Sequence, residues 1–125
     1  MERIPDDLTV TPDEAVDLAQ RLLDEDRPFT AHEVLEIAWK SAPAEQRQLW
    51  RALAQLAVGL THLQRENLRG AVALLHRARD GIREFTGPAP AGLDLTGLAR
   101  YAADLAERLT ADPTAAPVAP PRLRG

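Results

Sequence analysis

Residues 47–78 of the chain, RQLWRALAQLAVGLTHLQRENLRGAVALLHRA, decide the fold. The first half repeats leucine at spacings of four and three residues, which is typical of a helix that packs along an apolar seam. Its middle, residues 52–60, is apolar nearly all round, as expected of a central helix with neighbours on several sides. Asn67 then favours the start of another helix, because its side chain can cap free backbone N–H groups. So short a join predicts a central antiparallel helix hairpin.

Two capping patterns precede this hairpin. Thr11 and Glu14 have the spacing of a capping box, with a proline at the first helical position between them. Thr30 and Glu33 repeat that spacing after a break in the chain at Arg27-Pro28. We therefore expect the first helix over 12–24 and the second from residue 30 to about residue 41.

Three further starts complete the predicted fold. Pro43 opens the third helix, Asn67 caps the fourth, and Asp94 or Thr96 caps the fifth. These helices are expected to end near residues 66, 85 and 109. The sequence therefore predicts an all-α fold, a compact bundle of about five helices in a single domain over residues 1–110. Residues 111–125 are rich in proline and alanine and hold almost no large apolar side chain, so we expect a disordered tail.

Composition excludes several classes of function. The 125 residues include no cysteine, which excludes a disulfide framework, a thiolate metal site and a thiol nucleophile. A net charge of −4 and an aromatic content of 4% argue against nucleic acid as a partner. The first residues lack a signal-peptide pattern, and no apolar run is long enough to span a membrane. We expect a cytoplasmic protein with no membrane partner, and the abundance of arginine and alanine is typical of a GC-rich bacterial genome.

Each of the three histidines has a carboxylate four residues later. The pairs are His32 with Glu36, His62 with Glu66, and His76 with Asp80. Residues at this spacing share a helix face, so the carboxylate can fix the imidazole by a hydrogen bond, or both side chains can bind one metal ion. His76 lies at the edge of an apolar face, and we expect it to be structural.

The first pair stands in the pattern His-Glu-x-x-Glu, near the start of the second helix. At 100° per residue, His32 and Glu36 fall beside Trp39, at the edge of the apolar arc of this helix. A second polar face runs along the third helix, away from its leucine seam, and carries Arg51, Gln55, His62 and Glu66. If the two faces meet, the fold gathers imidazoles, carboxylates and an amide in one cleft.

Such a cleft could hold a divalent metal such as zinc, which in catalytic sites takes about three protein ligands and a water. The predicted metal ligands are His32, Glu36 and His62, with Glu66 as an alternative to the last. Glu33 is the predicted catalytic general base. The predicted binding-pocket residues are Trp39, Arg51 and Gln55. On this hypothesis the protein is a metal-dependent hydrolase that acts on an unidentified small molecule.

Other interpretations of the same residues stay open. A solvated polar face has the same pattern, and the cluster then serves only folding, with Glu36 fixing His32. Alternatively, the bundle is a non-enzymatic interaction or oligomerisation module, whose partner is another protein or a second copy of the chain. The tryptophans also have a structural interpretation, as core anchors.

The stretch FTAHEVLEIAWK, residues 29–40, together with residues 47–78, resembles the bacterial and archaeal family called domain of unknown function 309. The signature positions are His32, Glu33, Glu36, Trp39, Gln55, Asn67, Gly70 and Ala71. The resemblance implies a compact helical bundle of uncharacterised role, and some members carry the label of predicted metal-dependent hydrolase.

The hairpin also resembles a single tetratricopeptide unit. Gly59 falls at the small position of that repeat's first helix, and Ala71 and Ala78 fall at the small positions of its second. Gln55 stands where the repeat usually has tryptophan, and no second copy follows at the repeat period. The resemblance therefore predicts close helix packing rather than a solenoid.

Overall fold

The computed structural model describes residues 9–114 and 118–125. Within these ranges the chain is helical and has no strand, which confirms the all-α prediction. The α-helices are α1 Pro12–Asp24, α2 Pro28–Ser41, α3 Arg47–Gln64, α4 Leu68–Glu84 and α5 Leu95–Ala111. Two 3-10 turns, Ala44–Gln46 and Pro90–Gly92, precede α3 and α5. The first eight residues of the predicted 1–110 domain lie outside the described residues.

Three helix starts agree with their sequence signals. Thr11 and Glu14 form the capping box of α1. The Asn67 side chain accepts a hydrogen bond from the Gly70 N–H at 3.0 Å and caps α4. Of the two candidates for α5, Asp94 is the cap, and it accepts from the Gly97 N–H at 3.1 Å. These local signals were sufficient because each cap needs only residues within one turn.

The predicted capping box of α2 is wrong. The helix begins at Pro28, whose fixed φ suits a first helical position, and its N-cap Arg27 makes no side-chain cap bond. Thr30 therefore lies inside the helix, where it is only 2% exposed. This side chain is therefore buried rather than at the N-cap position.

The predicted third helix is too long at both ends. Pro43 has an extended conformation, with a ψ of 150°, and residues Ala44–Gln46 form the 3-10 turn that leads into α3. At the other end Glu66 adopts a positive φ of 60°. The N–H of Asn67 then bonds the carbonyl of His62 at 2.9 Å, and the N–H of Glu66 bonds the carbonyl of Leu63 at 3.0 Å. This pair of bonds is a Schellman motif, which ends α3 after Gln64.

Consecutive helices pack against each other, and α3 lies between α2 and α4. The approach to α4 is close, because a Cβ at Gly59 would lie 3.4 Å from the Ala71 carbonyl oxygen and 3.3 Å from Leu75 Cγ. Ala71 and Ala78 are fully buried in the same hairpin. The small residues of the tetratricopeptide resemblance therefore lie where helices meet.

Residues 118–125 correct the prediction of a disordered tail over 111–125. Leu123 is 1% exposed and belongs to the core, and Pro121 is also buried. Gln20 on α1 bonds the backbone of this segment at two points. Ala111 belongs to α5, and residues 115–117 lie outside the described residues. One buried leucine and a few backbone bonds fix a segment whose composition alone predicts disorder.

No helix in the described part of the chain is long and apolar enough to cross a membrane.

Replacing Glu66 with glycine is expected to stabilise the protein. A side chain in the left-handed region destabilises the folded protein by about 1–2 kcal/mol. Glycine removes this cost, but its greater conformational freedom stabilises the unfolded chain by about 0.4–1 kcal/mol. We expect a net gain of about 0.5–1 kcal/mol in the free energy of unfolding, measured by urea denaturation. Asp26 is the matched control, since it ends α1 with the same φ of 60°. Aspartate tolerates this conformation better, so Asp26→Gly should gain less. A loss of stability in Glu66→Gly would contradict the strain argument.

Candidate functional site

The polar pair of the His-Glu-x-x-Glu pattern forms on α2. His32 Nε2 lies 3.1 Å from Glu36 Oε2, and the other carboxylate oxygen, Oε1, lies 3.7 Å from Lys40 Nζ. The His32 side chain is 19% exposed and Glu36 39%. The spacing of four residues aligns the three side chains in a row along the helix. Glu36 thus lies between two basic groups.

Both ring nitrogens of His32 face hydrogen-bond acceptors. Nδ1 lies 3.2 Å from the Phe29 carbonyl oxygen, and Nε2 faces the Glu36 carboxylate. A neutral imidazole carries one N–H, so only the imidazolium donates to both groups at once. A metal ligand needs a free imidazole lone pair, and His32 can offer one only by giving up one of these contacts. The geometry favours a structural His32 whose two ring nitrogens are both engaged within α2.

His62 is engaged in the turn between α3 and α4. The Asn67 side-chain amide donates to His62 Nδ1 at 3.0 Å while its oxygen caps α4. Gly70 leaves room for this arrangement, because a Cβ there would lie 2.5 Å from the Asn67 amide nitrogen and 3.1 Å from His62 Cγ. Asn67 and Gly70 therefore have a structural role in this turn.

The predicted ligands do not form a metal centre. In the part of the chain that the structure describes, no group of three or more histidine, aspartate and glutamate side chains is placed to hold a metal ion. His32 and Glu36 contact each other, whereas His62 bonds Asn67. The donor set does not fit a catalytic metal, which needs about three protein ligands. Glu33 is half-buried on α2, and its role as general base stays a prediction.

The two helix faces do meet, as the sequence predicted conditionally. The Arg51 guanidinium lies over the Trp39 ring, 5.9 Å from its centroid, and the Arg65 guanidinium lies over the Phe29 ring at 5.6 Å. The Phe29 ring also contacts His32, with 5.4 Å between centroids. We call this surface the α2/α3 strip, and it comprises Phe29, His32, Glu36, Trp39, Arg51, Gln55 and Arg65. Arg65 and Phe29 were missed, although both repeat the spacing of the predicted faces.

The strip is a partly exposed surface. Trp39 and Gln55 are half-buried, Arg51 is exposed, and Phe29 is 41% exposed. Three clefts of about 850, 500 and 360 Å³ are lined by other residues. Among the described residues, neither Arg51 nor Arg65 forms an ion pair with a carboxylate. The strip thus presents two cations stacked on aromatic rings.

A cleft of about 850 Å³ lies between the end of α1, the α3–α4 turn and α5. Its wall includes Leu60, Leu63 and Tyr101. The Tyr101 hydroxyl donates to the Ala119 carbonyl at 2.6 Å, and burial raises the pKa of Tyr101 to about 12. The phenol therefore stays protonated and keeps donating at all ordinary pH values.

Comparison with known proteins confirms the family resemblance. Residues 16–74 match the model of a family described as Domain of unknown function (DUF309). A match of 44% identity over 48 residues links the chain to the uncharacterized protein YpuF of Bacillus subtilis (strain 168). That stretch covers 38% of this chain and 28% of the relative. No solved structure matches. The matched family region contains every residue of the α2/α3 strip, and neither description states an activity.

An alkaline titration tests the environment of Tyr101, the single tyrosine of the chain. Its pKa is raised from the usual 10.0 to about 12, so the folded protein holds this proton more tightly than the unfolded chain does. The associated stability is complete below pH 10 and is lost as the pH rises through about 12. Tyrosinate absorbance should report the raised pKa directly. Tyr101→Phe should remove this part of the alkaline loss of stability, whereas a midpoint at the usual value would contradict the burial of the phenol.

Proposed function

We propose that the protein is a non-enzymatic helical interaction module, and that its α2/α3 strip binds an acidic segment of a partner protein. The observation that carries the proposal is the pair of cation–π contacts in which a guanidinium lies over an aromatic ring, Arg51 over Trp39 and Arg65 over Phe29. Neither has a carboxylate partner among the described residues.

Stacking prepares the two arginines for binding. A guanidinium held over a ring loses little further freedom on binding, and its N–H edge stays available for a carboxylate fork. Aromatic residues and arginine also contribute most strongly to binding at protein interfaces. The 41% exposure of Phe29 adds apolar area between the charged groups. The strip therefore combines an exposed apolar ring with two guanidinium groups that can each bind a carboxylate.

The charge of the strip selects the partner. His32 and Lys40 both lie against Glu36, so the one acidic member of the strip already has basic neighbours. Arg51 and Arg65 leave a local positive excess on a chain whose net charge is −4. An acidic protein segment complements this patch, whereas a polyanion as long as a nucleic acid would also meet the repulsion of the whole chain.

The hydrolase hypothesis retains less support. It depends on His32 and Glu36, which contact each other, and on a third ligand, His62, whose Nδ1 accepts from Asn67. These contacts are equally those expected of polar side chains with a purely structural role. We therefore propose binding rather than metal-assisted hydrolysis as the function.

Charge reversal on the strip tests this function. The variant is Arg51→Glu/Arg65→Glu, and the matched control is Arg69→Glu/Arg77→Glu, which reverses two exposed arginines on α4. The probe is a fluorescein-labelled peptide rich in aspartate and glutamate that contains leucine and phenylalanine, and binding is measured by anisotropy. The strip variant should weaken binding about tenfold or more, equivalent to about 1.4 kcal/mol, and the control by much less.

Equal weakening by both variants would show a nonspecific charge effect and contradict a site on the strip. Tighter binding of a labelled single-stranded RNA than of the acidic peptide would contradict the class of partner. Circular dichroism of both variants should match that of the wild type, since all four arginines are exposed.

A further inference from the structure

Residues 118–125, which we call the closing segment, lie across α1 and the loop before α5. Gln20 on α1 holds the backbone of the segment with both ends of its amide. Its Nε2 donates to the Pro121 carbonyl at 3.0 Å, and its Oε1 accepts from the Leu123 N–H at 2.7 Å. The Leu123 carbonyl accepts in turn from the Asp94 N–H at 2.8 Å. These three bonds engage only the backbone of the segment, so they hold the chain whatever its side chains are.

The side chains of the segment alternate between the interior and the surface. Pro121 and Leu123 are buried, and Leu123 is only 1% exposed. Arg122 and Arg124 are exposed. The Arg124 Nε also donates to the carbonyl of Ala91 at 2.9 Å. Residues 122–125 form a turn, in which the Gly125 N–H donates to the Arg122 carbonyl at 3.4 Å. The segment therefore buries two side chains and leaves both arginines at the surface.

Acidic residues of α1 meet the two arginines. Arg124 pairs with Asp13, with an Nη2–Oδ1 distance of 3.1 Å, and its Nη1 donates to Asp17. Arg122 Nη1 lies 3.3 Å from Asp24 Oδ1. The three aspartates lie along one helix and face the two exposed arginines of the segment. Each exposed pair adds little stability, but together they specify which sequence fits.

We propose that this surface of α1 is a peptide-binding site that recognises a proline-arginine-leucine-arginine sequence leading into a turn, and that residues 121–124 are its internal occupant. Gln20 and the Asp94 N–H bind the backbone, the cavity that Leu123 fills selects leucine, and Asp13, Asp17 and Asp24 select arginine on both sides. A partner protein that carries this sequence competes with the closing segment for the site. The site is separate from the α2/α3 strip, and its argument does not depend on the function proposed for that strip.

Because the closing segment occupies the site in the wild-type protein, a free peptide has to compete with it. A tethered segment has an effective concentration of the order of mM, so the wild-type site is closed to a free peptide at lower concentrations. Releasing the segment removes this competitor without changing the acidic side chains of α1. Binding of the free peptide therefore has to be measured on variants of the full chain that release the segment.

Two variants release the segment by different means. Leu123→Asp removes the buried anchor, and Arg122→Glu/Arg124→Glu reverses the exposed charges that face α1. The probe is a fluorescein-labelled peptide of residues 118–125, followed by anisotropy. We expect both variants to bind the probe at least about 30-fold more tightly than the wild type does. A probe with alanine in place of Leu123 should lose most of this binding.

A charge exchange locates the site. In the Leu123→Asp background, Asp17→Arg should weaken the natural probe. It should favour a probe with glutamate at the position of Arg124, because the ion pair is then restored with reversed sign. Binding of the glutamate probe is restored only if the two side chains are in contact. A general loss of structure would weaken the binding of both probes.

Three outcomes would overturn the proposal. The first is a folded released variant that does not bind the probe. The second is equal binding to the wild type and to the released variants, which would place the probe elsewhere. The third is loss of helical circular dichroism in both released variants, because the segment is then an integral part of the core rather than the occupant of a site.

Discussion

The packing of α3 between α2 and α4 is the constraint on which the rest of the structure depends. At Gly59 the α4 backbone comes so close that an added Cβ would lie 3.4 Å from the Ala71 carbonyl oxygen. With neighbours on two sides and the core on a third, α3 keeps a narrow outward face. Arg51, Gln55 and His62 lie on this face because they repeat at helical spacing. Their neighbours on α2 and α4 then decide what each side chain contacts.

That constraint separates residues which share a motif. Along α2 the outward face of α3 meets aromatic rings, so Arg51 and Arg65 stack on Trp39 and Phe29. At the far end of α3 the left-handed Glu66 turns the chain, and Asn67 comes within bonding distance of His62. The polar residues of the family signature thus take part in two local arrangements rather than in one ligand sphere. A surface of ordered cations suits recognition of acidic groups.

Sequence patterns predicted what depends on neighbours along the chain. The bounds of α1 and the caps at Asn67 and Asp94 follow from interactions within one turn. The α2 start was mistaken because Thr30 has the spacing of a cap, but its burial in the core outweighs that local option. Helical spacing also placed the polar faces of α2 and α3, since period alone decides which residues share a face.

Contacts between residues far apart along the chain could not be predicted from local sequence patterns. The closing segment is rich in proline and alanine, and its order depends on Gln20, about a hundred residues earlier. A low density of apolar residues predicts disorder only when no prepared surface receives the chain. The contact between Asn67 and His62 likewise depends on the Schellman turn, whose left-handed residue is a glutamate rather than the usual glycine.

Zinc titration followed through the side-chain ¹⁵N resonances of the histidines tests most directly whether the signature residues serve structure and binding rather than a metal centre. If His32 is held by Phe29 and Glu36, and His62 by Asn67, stoichiometric zinc should leave the ring-nitrogen shifts of both unchanged. A joint shift of His32 and His62 to metal-bound values at one equivalent of zinc would contradict this account.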